Sequence, residues 1–164
     1  MSSHKPSYSR FLSVAGISLL LLMSPHCQDF FERDTEIEID GKNPPTFTLS
    51  GNGQLSLIEV TDLSTSDVSV YAPERIMWRI RPIGENTPSR LPKITYGILP
   101  SGFSQEIPAI GGPPILAEEK PYQLSAPTSN ANTGSMMFLI RHGQALRIEK
   151  GADERYYVQT PEGK

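Results

Sequence analysis

His142 is the residue of this chain best placed to do chemistry. It follows the apolar run Met136-Met137-Phe138-Leu139-Ile140 and stands between Arg141 and Gly143. A strand that delivers a histidine next to a cation suits nucleophilic or acid–base work on a charged group, provided a second catalytic group meets it. The partners are missing. The other histidines are His4 and His26, both in the first 27 residues. A Ser-His-acid triad would have to use His142, and the chain contains no Gly-x-Ser-x-Gly elbow. Gly51-Asn52-Gly53 and Gly111-Gly112 lack the Lys-Ser/Thr that follows a phosphate-cradling loop. For a metal there remain only carboxylates. Glu118-Glu119 and Asp153-Glu154 are adjacent in sequence, as solvated loop charges are, and Asp62 and Asp67 fall outside an Asp-x-Asp-x-Asp-Gly calcium loop. No cofactor and no metal is expected. Catalysis by an unrecognised carboxylate pair stays as an alternative that no motif marks.

The segment Phe138 to Ala145 resembles the Arg-His-Gly signature of the histidine phosphatase family. That resemblance would make His142 the nucleophile and Arg141 a phosphate ligand. The family opens an α/β domain with this strand and uses a second histidine further on, whereas only 22 residues follow His142 here. The preferred reading is a tight turn in which Gly143 supplies a positive φ.

Cys27 is the sole cysteine, so no intramolecular disulfide can form. Before it, Met1 to Arg10 carries Lys5 and Arg10 without an acid, and Phe11 to Met23 is uncharged and ends in four leucines and a methionine. A basic start followed by a short apolar stretch is the pattern of a secretory signal peptide, and the stretch is shorter than the roughly 20 apolar residues that span a bilayer. With Ser24-Pro25-His26-Cys27 next, the segment resembles a bacterial lipoprotein signal, in which the cysteine is acylated and becomes the first residue. The resemblance implies residues 1–26 as signal peptide, lipid on Cys27, and a protein held on a membrane of the bacterial envelope, periplasmic or at the cell surface. Pro25 and His26 depart from the small residues such signals carry there. Residues 27–45, with Glu32, Arg33, Asp34, Glu36, Glu38 and Asp40, read as an acidic tether, although Glu36-Ile37-Glu38-Ile39 alternates and would also suit a short edge strand.

The elements that must position any site are strands. Fifteen prolines and thirteen glycines interrupt the chain, and no window of a dozen residues keeps a helical period free of them. Thr46–Leu49 and Leu55–Val60 flank a strong turn and predict a hairpin. Ile76–Arg81 places Ile76, Trp78 and Ile80 on one face with Arg79 and Arg81 on the other. Ile94–Leu99, Tyr122–Leu124, Gln144–Glu149 and Arg155–Val158 follow the same logic, and Met136–Ile140 suits a central strand buried on both faces. Residues 46–164 are therefore expected to form one antiparallel β-sandwich of about seven short strands. The Trp78 strand resembles the core tryptophan strand of immunoglobulin and fibronectin type III domains. Residues 100–114, rich in proline and glycine, are expected to form a long surface excursion.

The charges are scattered and the formal net charge is −3, or −5 once Lys5 and Arg10 leave with the signal, which argues against nucleic-acid binding. Trp78 is expected in the core. Phe103, in its Gly/Pro loop, together with Arg79 and Arg81, whose charges cross-strand acids would balance, is the expected partner-contact surface. The function expected is a non-enzymatic binding or structural module of the envelope. The rival reading is a carbohydrate- or peptide-binding module with an aromatic groove around Tyr96, Phe103 and Tyr122.

Overall fold

The computed structural model describes residues 35–51, 53–64, 73–84, 93–129 and 131–159. Cys27, the signal segment and Asp67 lie outside the described residues. The chain divides into two units at Phe31/Glu32, and all described residues belong to the second.

Among the described residues, ten strands build that second unit: β1 (Glu36–Ile39), β2 (Thr46–Ser50), β3 (Ile58–Asp62), β4 (Ile76–Pro82), β5 (Lys93–Thr95), β6 (Phe103–Ile107), β7 (Pro121–Ala126), β8 (Gly134–Arg141), β9 (Gln144–Lys150) and β10 (Tyr156–Val158). They form a three-stranded sheet, β1-β2-β5, and a seven-stranded sheet, β10-β9-β8-β7-β3-β4-β6, both antiparallel throughout. The fold is an all-β sandwich, with more strands than the seven or so expected from sequence. Phe47 of the small sheet meets Phe138 of the large one edge to face at 5.3 Å, and Trp78 meets Tyr96 at 5.5 Å. Such pairs add to the burial that joins the two sheets.

Period-two patterning explains the layers. Ile58 and Val60 of β3, Trp78 and Ile80 of β4, and Tyr122, Leu124 and Ala126 of β7 all enter one buried cluster with Ile37, Phe47 and Ile94 of the small sheet. The run Met136–Ile140 is largely buried on both faces, as a continuous apolar strand predicts, with Met137 half-buried. Phe138 and Ile140 face the main core, while Leu139 packs outside it on the opposite face, where the neighbouring Ile148 of β9 is only 1% exposed.

Three elements differ from the sequence expectation. Thr46–Leu49 and Leu55–Val60 are not a hairpin, because β2 pairs with β1 and β5 whereas β3 pairs with β7 and β4. The segment between them crosses from one sheet to the other, held by a Leu55–Thr128 bridge and by Ser56 N–H donating to Pro127 O at 2.9 Å. Gly53 is needed at that corner, since a Cβ there would lie 2.7 Å from Thr128 Cγ2. Glu36–Ile39 departs from the tether reading and is instead the short edge strand its alternation also suited, β1, with Ile37 in the core. Within the expected surface excursion, Phe103–Ile107 is the edge strand β6, because Phe103 and Gln105 alternate with the exposed Ser104 and Glu106.

Candidate functional site

Beyond β5 and β6, two uncharged stretches pack against each other. Residues 94–105 and 107–117 contain no Asp, Glu, Lys or Arg. After β5 the chain turns at Gly97, where a φ of +79° and a Cβ that would lie only 3.3 Å from Pro113 Cγ both disfavour a side chain. After β6 it runs from Pro108 to Ala117 with no regular ladder, and three side chains hold it, two from the core and the half-buried Gln105 of β6.

Gln105 is the first of these. Trp78 Nε1–H donates to Gln105 Oε1 at 3.1 Å, and Gln105 Nε2 donates to Pro108 O at 2.7 Å and Gly111 O at 2.8 Å. Tyr96 Oη donates to Pro114 O at 2.7 Å, and Ala117 N–H donates to Tyr122 Oη at 2.8 Å. Burial pushes the Tyr96 phenol far above its ordinary range, and it therefore keeps the proton it donates. The Tyr122 phenol is raised too, by burial first and by the nearby Asp62 carboxylate, against the pull of the Ala117 N–H.

What this bracing holds in place is apolar. Ile110 is 92% exposed and Ile115 is 90% exposed, on either side of Gly111 to Pro114. Ile98 and Leu99, next to the Gly97–Pro113 contact, are 60% and 48% exposed. Leu116, the residue after Ile115, turns inward to the core. Single exposed hydrophobics are ordinary on a protein surface. Here four of them lie on two adjoining, charge-free loops.

His142 sits where its turn reading put it. His142 and Gly143 both have positive φ, +52° and +71°, between the paired Arg141 and Gln144 of β8 and β9. This is the signature of a two-residue type I′ hairpin. Around it, Arg141 Nε and Nη2 donate to the two oxygens of Glu119 at 2.8 Å each, and Gly143 N–H donates to Glu118 Oε1 at 2.9 Å. The Arg141 hydrogen bonds hold the Glu119 carboxyl below the usual carboxylate range. Both acids are thus engaged in fixing the hairpin tip. Asp62 accepts from Ser64 N–H at 2.7 Å and lies 3.7 Å from Lys120 Nζ. Among the described residues, no three His, Cys, Asp or Glu side chains gather as metal ligands would.

The expected contact residues are not brought together. Phe103 is a correction: it is 3% exposed and part of the core, because as the first residue of β6 it points to the same inner face as Trp78 and Ile80. Arg79 points outward as expected but is bound to Glu59, its cross-strand neighbour, with Nη2–Oε2 at 2.6 Å. Arg81 pairs with Glu106 at 2.8 Å. The aromatic groove fails for the same reason as Phe103, since Tyr96, Phe103 and Tyr122 are all buried. Sequence reasoning passed over Ile110 and Ile115, and the signal that marks them is the absence of charge over 107–117 beside an equally uncharged 94–105.

Fold and site together define the class only as far as an all-β sandwich carrying a braced apolar loop. No family model, no curated protein and no solved structure matches this chain. Among the described residues, no helix is long and apolar enough to cross a membrane.

Proposed function

We propose that the chain is an exported lipoprotein of the bacterial envelope, tethered through Cys27, whose sandwich domain is a non-enzymatic protein-contact module. One observation carries the contact reading. Tyr96 and Tyr122 from the core and the half-buried Gln105 of β6 brace a loop, yet Ile110 and Ile115 remain at least 90% exposed on it. A loop ordered beforehand loses less entropy when a partner covers it, so bracing and apolar exposure together favour binding. The tether reading rests on the sequence before Cys27 alone. The likeness to immunoglobulin and fibronectin type III domains belongs to this proposal as well. It rests on Trp78, buried on β4, and on two antiparallel sheets of three and seven strands.

Two measurements test it. Intact mass and membrane partitioning of the natively expressed protein, beside Cys27→Ala, should give a chain that begins at Cys27, is heavier by its acyl groups and leaves the membrane on substitution. An unmodified, freely soluble wild type would refute the tether. A photo-crosslinking residue at position 110 should capture a protein in the producing cell, and one at Glu74 on the 3-10 turn before β4 should not. Failure at position 110 would refute the contact face.

A further inference from the structure

Residues 112–117 are attached to the sandwich in the manner of a bound peptide. Among the described residues they make no backbone–backbone hydrogen bond. Pro113 and Pro114 fix an extended backbone close to the polyproline form, which turns once every three residues. The contacts of the segment follow that period. Pro113 packs on Gly97, where a Cβ would lie 3.3 Å from Pro113 Cγ, and three residues on Leu116 enters the core. Pro114 O accepts from the Tyr96 hydroxyl at 2.7 Å, and three residues on Ala117 N–H donates to the Tyr122 hydroxyl at 2.8 Å. Ile115, between these contacts, is 90% exposed.

We infer that Tyr96, Gly97, Tyr122 and the pocket of Leu116 form a groove for a proline-rich segment of another protein, which the chain's own residues 112–117 occupy as an autoinhibitory ligand. This goes beyond the contact proposal above, because it concerns the surface beneath the loop and not the isoleucines on top of it.

The groove has the chemistry that a proline-rich ligand requires. Such a segment offers carbonyls without partners of their own and few N–H groups, so aromatic rings and side-chain donors recognise it. Both tyrosines are set from below by the core. Tyr96 lies edge to face with Trp78 at 5.5 Å, and Tyr122 lies against Phe138 at 5.6 Å. Gly97, lacking a side chain, leaves room for a proline ring. The segment is also free to leave without unpairing a strand, since the chain on either side has fastenings of its own. Gln105 holds Pro108 O and Gly111 O before it, and Glu119 N–H donates to Ile140 O after it. With Leu116 as its one buried side chain, the segment belongs to the part of the fold that opens most easily.

The test uses the full chain and a synthetic peptide with the sequence of residues 110–119. Leu116→Asp puts a carboxylate where the buried plug was and lifts the segment, because burying an unpaired charge is strongly unfavourable. Binding is read by calorimetry and by the fluorescence of Trp78, the sole tryptophan. The variant should bind the peptide about tenfold more tightly or better than the wild type, whose groove is open only while its own segment is lifted. Peptides carrying Leu116→Asp, or Pro113→Ala with Pro114→Ala, should lose that gain. If Leu116→Asp unfolds the sandwich, a chain cut at a protease site inserted between Gly111 and Gly112 takes its place, since a Cβ added at either glycine meets nothing within 4 Å. Equal binding by loosened and wild-type chains, binding that ignores the prolines and the leucine, or no binding by the loosened chain overturns the inference and leaves residues 112–117 as a connection only. Crosslinking at position 110 reads the outer face separately, so either reading can fall while the other stands.

Discussion

Phe103 and Gln105 sit two residues apart on one face of β6 and carry different burdens. Phe103 fills the core, so Phe103→Ala should cost about 3–5 kcal/mol in chemical denaturation, as deleting a buried ring does. A contact residue on the surface would cost far less. Gln105 is polar and satisfied on every side it presents inward, serving the Trp78 indole and two loop carbonyls. Gln105→Leu leaves the buried Trp78 N–H without its acceptor, at a cost of about 1–3 kcal/mol. It also frees Pro108 and Gly111, so limited proteolysis within 108–114 should accelerate beyond what the loss of global stability explains. Equal protection in both proteins would show that Gln105 does not hold the loop. Neither role was visible in a stretch read as Gly/Pro loop. Two alternations in five residues between Gly102 and Pro108 are too few to outweigh the breakers on either side, and only the ladder to Ile80 and Arg81 makes them a strand.

At the scale of elements, the hairpin of β8 and β9 shows how a turn can look like a catalytic motif. Arg141-His142-Gly143 owes its residue types to backbone geometry: both central positions need positive φ, which glycine adopts freely and a histidine adopts at some cost. Replacing His142 with Asn, a residue more at ease in the left-handed region, should raise stability by about 0.5 kcal/mol, read as a higher urea midpoint at unchanged slope. Gly143→Ala should lower it by about 1 kcal/mol. The hairpin was legible because its turn and its apolar run agree, as were the faces of β4, where Trp78 lies inside and Arg79 and Arg81 point out to Glu59 and Glu106. The sheet to which each strand belongs was not legible. A turn such as Ser50-Gly51-Asn52-Gly53 reads the same whether the chain doubles back within a sheet or passes to the facing one, and here the deciding contacts come from Pro127 and Thr128.

Over the whole of the described fold, two acids fasten connections while the Arg79–Glu59 and Arg81–Glu106 pairs join neighbouring strands. Asp40 Oδ1 accepts from Lys42 and Thr46 N–H at 3.1 Å each, closing the turn between β1 and β2. Asp62 ties the end of β3 to Ser64 and Lys120. In both, burial opposes the charged form, but the backbone donors and the nearby lysine outweigh it and the carboxyl titrates below its ordinary value of 3.8. Protons therefore bind the unfolded chain first. The stabilising contribution is complete above 3.8 and is lost as pH falls through the lower, folded-state values. Urea midpoints should fall through that acid range, and Asp40→Asn with Asp62→Asn should flatten the descent. An unchanged descent in the double variant would place the acid sensitivity in other groups.

The place of β3 also constrains how the molecule comes into being. Its neighbours are β4 and β7, and its register sets Glu59 against Ser125. A ribosome that adds roughly 5–20 residues each second completes Ile58 and Val60 several seconds before β7 exists to close over them. Throughout that interval β3 lacks the strand that pairs with it on one side, and its apolar residues have nothing there to cover them. Newly made protein, more than the finished fold, is the form that needs protection from aggregation.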